Sequence, residues 1–159
     1  QRVAKLTVTD ASHDLALLRI EGAPLPAMTL QSGDHVREGQ SVAFTGFPIG
    51  SVLGLSPVTH RGIISAITQI AIPGATASQL NAKVVKRLKS GSFEVYQLDG
   101  TAYPGNSGGP LFEVEKGEVV GIINMVFVKG TKESVLTHPS GISFAVPVEH
   151  LQGLLRSAR

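Results

Sequence analysis

One serine stands in a context suited to nucleophilic chemistry. Residues 104–112 read Pro-Gly-Asn-Ser-Gly-Gly-Pro-Leu-Phe, with Ser107 between glycines that permit backbone angles closed to other residues. This spacing predicts that the amides of Gly105 and Ser107 converge on one point beside the Ser107 hydroxyl, as needed to stabilise a tetrahedral oxyanion. A glycine-rich turn between two strands is an equally good explanation of the run by itself, so the remainder of the chain has to decide.

An acidic residue at the start of an apolar run is the second group suited to such chemistry. Asp14 leads directly into Leu15–Ile20, which predicts a buried strand. A serine hydroxyl is a weak nucleophile and needs an adjacent base, and a carboxylate can orient that base. The alternative role for Asp14 is to cap a turn.

The base itself is not found among the five histidines. His13 adjoins Asp14, but neighbouring side chains on a strand point to opposite faces, so His13 is not expected between Asp14 and Ser107. The other four fall in stretches that resemble loops or a helix and are interpreted as ordinary histidines: His35, His60, His138 and His150.

Four further blocks, in order along the chain, carry a family likeness: residues 12–20, residues 46–50 with 61–66, residues 96–103, and residues 141–147. Together with the Ser107 run they resemble the trypsin-like serine peptidases, and among these the bacterial high-temperature-requirement, or Deg-type, branch. Asn106 agrees with that branch, since digestive trypsins have Asp there. The resemblance implies an all-β fold, a chymotrypsin-like double β-barrel with the first barrel incomplete, and a C-terminal helix.

The resemblance also implies a division of the chain and the place of the base. Residues 1–45 would be the remainder of the N-terminal barrel, and residues 46–159 the C-terminal barrel with the nucleophile and the helix, in one peptidase domain. The family's triad runs His, Asp, Ser along the chain, and thirteen residues precede Asp14. A missing N-terminal segment is therefore expected to carry the His, so that this chain alone is inactive.

Site residues follow from the same likeness. Asp14 and Ser107 would be catalytic, and Gly105, Asn106 and Ser107 would form the oxyanion hole. Thr101, six residues before the nucleophile, would form the base of the substrate pocket, where its short neutral side chain cannot pair with a buried Lys or Arg. The pocket walls would be Asn124, Met125, Val126 and Gly141. We expect a small or medium apolar residue on the amino side of the cut, and note that Asn124 replaces the small hydroxyl residue usual there.

Composition excludes several other classes. A net charge of +2 and 5% aromatic residues are too little to indicate nucleic-acid binding, and no apolar stretch is long enough for a membrane span. Histidines lack the paired spacing of a metal centre, and no glycine-rich loop opens a helix to bind phosphate, so no metal or cofactor is expected. Without cysteines, stability must come from packing. The family resemblance favours a periplasmic or secreted location.

Turn residues and apolar patterns predict many strands and one terminal helix. Eighteen glycines and nine prolines in 159 residues favour strands joined by turns. Val148, Leu151, Leu154 and Leu155 share one face of a predicted helix at 147–157. The predicted strands are 3–9, 15–20, 41–45, 58–72, 93–98, 109–114, 118–128 and 142–146.

Residues 76–90 interrupt the strand pattern with a predicted short helix. Its basic residues, Lys83, Lys86, Arg87 and Lys89, are typical of a solvated face, or alternatively of a contact with an anionic partner. Three functions therefore stay open: an endopeptidase acting on a polypeptide substrate, a non-catalytic relative that binds extended peptides, and an adaptor working through this basic cluster. The oligomeric state is also left open.

Overall fold

Strands dominate the described part of the chain. The computed structural model describes residues 2–32, 36–48, 54, 56–69, 93–124 and 142–158. Within these ranges eight strands precede one helix. The strands are β1 Ala4–Asp10, β2 Leu15–Ile20, β3 Ser41–Gly46, β4 Val58–Gln69, β5 Glu94–Asp99, β6 Pro110–Glu113, β7 Val119–Asn124 and β8 Ile142–Pro147, and the helix α1 is Val148–Ser157.

Six strands close into a barrel in the order β3-β4-β5-β8-β7-β6, with every neighbouring pair antiparallel. The β3–β6 pair completes the ring, with Ala43 opposite Phe112. Closure leaves the barrel no free strand edge. The all-β prediction with a terminal helix is confirmed, while the predicted division of the chain at 45/46 stays a prediction and falls inside β3.

The barrel interior is the main hydrophobic core. Alternate residues of each strand face inward, and the resulting cluster consists of buried side chains from all six strands and the loop after β5: Val42, Phe44, Ile64, Tyr96, Leu98, Ala102, Leu111, Val120, Ile123 and Ala145. Because the site loops lie at the ends of these strands, this core fixes the frame to which they are attached.

The first two strands form a separate two-stranded sheet, the β1–β2 hairpin. One face of the hairpin is open: Leu6 is 57% exposed and Leu18 56% exposed. The other face packs on a second apolar cluster built around Leu15, Val146 and Leu154. Helix α1 contributes Leu154 to this cluster and thereby joins the hairpin to the barrel.

The connection from the hairpin to the barrel runs beside β7. Val119 donates its amide to the carbonyl of Thr29 at 2.8 Å, and Gln31 donates to the carbonyl of Val119 at 2.9 Å. The side chain of Gln152 in α1 donates to the Gln31 carbonyl at 2.7 Å. The helix therefore holds both the hairpin and the connection around Gln31 against one side of the barrel.

Most element predictions agree with the structure. Each observed strand matches a predicted one to within about two residues at the described ends, which is ordinary uncertainty in assigning an element's boundary. His60 is a correction, because it lies inside β4 and not in a loop. The ends predicted for two strands, beyond residues 69 and 124, the helix at 76–90 and its basic cluster lie outside the described residues. No helix among the described residues is long and apolar enough to cross a membrane.

Candidate active site

The predicted nucleophile lies in the loop between β5 and β6, here called the Ser107 loop (residues 100–109). Ser107 itself is exposed. Backbone hydrogen bonds attach the loop to the barrel: Gly108 donates to the carbonyl of Ile123 at 2.8 Å, and Ile123 donates to that of Gly109 at 2.9 Å. Strand β7 therefore holds the loop on the C-terminal side of the serine.

A close approach of two backbones explains the glycine before the serine. Gly105 has a φ of 104°, in the left-handed region that disfavours other residues. A Cβ on this residue would also collide with the carbonyl oxygen of Phe47. Its own carbonyl accepts a hydrogen bond from the Phe47 amide at 3.1 Å. The segment after β3 is thus packed directly on the loop, and a side chain at position 105 has no room.

Free amides flank the Ser107 hydroxyl. The amide of Asn106 donates to the carbonyl of Tyr103 at 2.9 Å, and that of Gly109 donates to the carbonyl of Asn106 at 3.0 Å. Among the described residues, no backbone carbonyl accepts from the amides of Gly105 or Ser107. Of the three residues predicted for the oxyanion hole, Gly105 and Ser107 therefore retain amides free to bind an oxyanion. The Asn106 side chain is fully buried, under Gly46.

The second predicted catalytic group occupies an uncommon backbone conformation. Asp14 has a φ of 57° and is the one non-glycine residue with positive φ in the described part of the chain. Asp10, not Asp14, caps this turn, because its Oδ1 accepts from the amides of Ser12 at 3.0 Å and His13 at 3.2 Å. The Asp14 carboxylate is therefore not needed to cap the turn.

Asn124 supports that carboxylate. Its Nδ2 donates to Oδ2 of Asp14 at 3.2 Å, across 110 positions of sequence. Asn124 is buried, with 6% exposed. An amide donor thus stands where the resemblance implies a small hydroxyl residue, and its bond to Asp14 was not predicted from the sequence.

The end of β7 brings the two predicted catalytic groups to one end of the barrel. Ile123 hydrogen-bonds with the Ser107 loop, and the next residue, Asn124, hydrogen-bonds with Asp14. Consecutive Cα atoms are about 3.8 Å apart. The Ser107 loop and the Asp14 carboxylate are therefore held by adjacent residues of a single strand, β7.

None of the described histidines completes a triad. His13 directs Nδ1 at Oδ2 of Asp10, 2.6 Å away, and its ring stacks on that of His150. His60 stacks on Phe44 inside the barrel wall. Within the described ranges, none of the three makes a hydrogen bond with Asp14 or Ser107. His35 and His138 lie outside those ranges.

Two pKa values near the Asp14 turn are shifted. Burial raises the pKa of Asp10, but hydrogen bonds from His13 and Ser12 together with the His13 charge outweigh it, so the net pKa is lowered. The pKa of His150 is lowered, chiefly by burial and then by the His13 charge, against a smaller opposing effect of Asp10. The fold therefore favours an ionised Asp10 and a neutral His150.

A hydroxyl on β8 organises the predicted base of the substrate pocket. Ser143 Oγ accepts from the Ala102 amide at 2.7 Å and donates to the Gly100 carbonyl at 2.6 Å. These bonds fix the segment that contains Thr101, which is half-buried. Sequence reasoning missed Ser143, although it is a buried polar residue on an otherwise apolar strand. Met125, Val126 and Gly141 lie outside the described residues.

The described side chains offer no place for a metal ion, because no three His, Cys, Asp or Glu residues among them are grouped to hold one. The groups predicted for this site, a serine hydroxyl, a carboxylate and free amides, can together provide nucleophilic attack on a carbonyl carbon and stabilisation of the resulting oxyanion.

Comparison with known proteins identifies the family of the chain. Residues 1–122 match the trypsin-like peptidase domain family, and the chain belongs to it. The chain is 35% identical over 147 residues to a probable periplasmic serine endoprotease DegP-like from Ectopseudomonas mendocina (strain ymp), covering 92% of this chain and 25% of that protein. The chain thus spans about a quarter of the length of the curated relatives it matches.

Solved structures give the same assignment. The HtrA-type protease AlgW with a decapeptide aligns with a TM-score of 0.69 at 31% identity, over 99% of this chain and 40% of that one. A structure of Rv3671c from M. tuberculosis aligns with a TM-score of 0.66 at 18% identity, over 98% of this chain and 64% of that one, which supports the fold alone. The predicted likeness to the Deg-type branch is confirmed.

Proposed function

We propose that this chain is the nucleophile-bearing part of a serine endopeptidase that cleaves polypeptides with a Ser-His-Asp triad. One observation carries the proposal: Ile123 and Asn124, adjacent on β7, bind the Ser107 loop and the Asp14 carboxylate. Nothing in the barrel's packing requires a charged group there, since β7 is otherwise apolar. A carboxylate beside a glycine-flanked serine has a direct use in peptide hydrolysis.

In the proposed reaction, Ser107 attacks the scissile carbonyl while an imidazole takes its proton. Asp14 orients that imidazole and stabilises it when it becomes charged. The amides of Gly105 and Ser107 donate to the oxyanion that develops on the carbonyl oxygen. The imidazole belongs to a segment upstream of Gln1. Without it, the rate is expected to fall about a millionfold, so the chain alone would be inactive.

The proposed substrate is an extended polypeptide with a small or medium apolar residue before the cut. Thr101 is neutral and half-buried, so a buried Lys or Arg side chain would find no carboxylate from that residue. The AlgW structure with a decapeptide supports a peptide ligand, and the DegP-like relatives are named as periplasmic, which supports a periplasmic or secreted location for this protein.

A non-catalytic, peptide-binding protein of the same family is the alternative. It is favoured by the described histidines, none of which bonds to Asp14. This alternative does not explain why Gly105 has a positive φ, or why the amides of Gly105 and Ser107 have no backbone acceptor among the described residues.

A fluorophosphonate, which reacts with activated serines, distinguishes the two. The protein is expressed with the segment preceding Gln1, and we expect covalent labelling at Ser107. Labelling should disappear in Ser107→Ala and persist in Ser65→Ala, a matched change at an exposed serine on β4. Folded protein that fails to label, with a histidine present upstream, would contradict the peptidase proposal and favour the peptide-binding alternative.

A further inference from the structure

A cluster of ionisable and aromatic rings lies outside the proposed catalytic groups, where helix α1 meets the turn between β1 and β2. The rings of His13 and His150 stack with centroids 3.8 Å apart and planes 22° from parallel. Phe93 meets both edge-on, at 4.6 Å from His13 and 5.4 Å from His150. The Asp10 carboxylate hydrogen-bonds with the ring nitrogen Nδ1 of His13. The four residues are here called the histidine clasp.

Three of the clasp residues, Asp10, His13 and His150, line a cavity of about 460 Å³ between the hairpin and the helix. The charged or titratable groups that face the rings from the described elements are Asp10 at the end of β1 and Glu149 beside His150 on α1. The segment before β5 adds the uncharged Phe93, and β2 adds the apolar Leu15 of the second cluster. Among the described residues, the one ion pair made by these rings joins His13 to Asp10, so at most one of the two ring charges is paired.

The clasp adjoins the proposed catalytic carboxylate directly. His13 immediately precedes Asp14, and the same Asp10 that bonds the His13 ring also accepts the backbone amides of the turn. Any displacement of His13 is therefore transmitted to the backbone of Asp14 within one residue. Elsewhere the helix touches the hairpin through the apolar second cluster, which has no pH dependence of its own.

We propose that the histidine clasp is an acid-sensitive switch: it holds α1 against the turn that orients Asp14 while His150 is neutral, and it opens when both rings carry a proton. Two imidazolium rings stacked at this distance repel each other, and their separation loosens the turn. The clasp residues are positioning residues for Asp14. The inference rests on the proposed function in one respect: it assumes that Asp14 takes part in catalysis.

The pH window follows from the shift at His150. Its pKa is lowered from 6.5 by burial first and then by the His13 charge, so the unfolded chain binds the proton more readily than the folded one. The stabilisation is fully present above about pH 6.5 and is lost as the pH falls through the lowered value. Each unit of lowering changes the opening equilibrium about tenfold.

The first experiment measures the clasp without reference to activity. Unfolding midpoints and amide hydrogen exchange across α1 are recorded from about pH 8 to about pH 5, the range in which histidine titrates. We expect the midpoint to fall at acid pH, and the protection factors of the α1 amides, corrected for the slower intrinsic exchange at low pH, to decrease. His150→Phe keeps a stacking ring without a proton site and should flatten both curves, whereas His60→Phe, a matched change in β4, should keep the pH dependence of the unsubstituted protein.

A His150→Phe protein with unchanged pH dependence would overturn the proposal. Should that variant fail to fold, NMR titration of the ring protons in the unsubstituted protein decides. A His150 that titrates below its ordinary pKa supports the clasp, and a His150 that titrates at or above that value overturns it.

A second experiment separates this inference from the proposed function. The fluorophosphonate labelling rate of Ser107 is measured against pH in the protein with its upstream segment, and His150→Phe should retain labelling to lower pH. Acid opening of α1 without any labelling would refute the proposed function and leave the switch standing. Labelling with the same pH profile in both proteins would refute the link between the clasp and Asp14.

Discussion

The Ser107 loop and the Asp14 turn lie at the same end of the barrel but are held in different ways. The loop is bound to β7 by backbone hydrogen bonds in both directions, and its Gly105 is packed against the segment after β3. The turn is held by side chains: Asp10 within it, Asn124 from β7, and His150 from α1. The backbone that carries the proposed nucleophile is thus part of the barrel, whereas the position of the Asp14 carboxylate depends on a few side-chain contacts.

The largest effect is expected from the barrel core, on which the loop depends. Phe44 is 1% exposed and packs in the centre of the main cluster. Phe44→Ala should destabilise the protein by about 3–5 kcal/mol, because it removes buried area and leaves a cavity. Denaturant unfolding of the two proteins measures the difference in free energy of unfolding. A loss under about 1 kcal/mol would show that the barrel does not dominate stability.

Gly105 should be the most sensitive position within the loop. Gly105→Ala introduces a Cβ that collides with the Phe47 carbonyl at a positive φ, at a cost of about 1–3 kcal/mol in backbone strain. If displacement also removes one oxyanion donor, labelling should slow about 100-fold or more. Gly117→Ala is the matched control, since its φ is positive but a Cβ there meets nothing within 4 Å, and it should label normally.

The turn is tested by the contact that joins it to β7. Asn124→Val removes the donor to Asp14 and should slow fluorophosphonate labelling of the protein with its upstream segment by about tenfold, the equivalent of about 1.4 kcal/mol. Asn124→Thr, which restores a hydroxyl donor, should recover part of the rate. Equal rates in all three proteins would mean that Asp14 is oriented without Asn124.

The smallest effect is expected on the open face of the hairpin. Leu18 is 56% exposed, so Leu18→Ala in this chain should change the free energy of unfolding by less than about 0.5 kcal/mol. Leu15→Ala, on the buried side of the same strand, should cost about 2 kcal/mol or more. If the two variants were equally destabilised, the hairpin would bury both of its faces in solution.

The sequence predicts the Ser107 loop better than the Asp14 turn, for the same reason that the two differ in structure. Alternating apolar residues and turn residues are local signals, so the strands, the helix α1 and the glycine requirement at Gly105 could be anticipated. The contacts that hold Asp14 depend on residues far apart in the chain, such as Asn124 at 110 positions. Periodicity carries no information about such partners. The stack of His13 on His150 and the two bonds of Ser143 were missed for this reason.

The left-handed backbone of Asp14 restricts which replacements the turn accepts. At a φ of 57°, Asp, Asn and Gly are tolerated far better than other residues. Position 14 is therefore selected for conformation as well as for charge, and Asn satisfies the first requirement without the second. A single-nucleotide change from Asp to Asn would then yield a protein that folds normally and has lost its carboxylate, so intact architecture is no guide to whether a homologue of this chain still cleaves peptides.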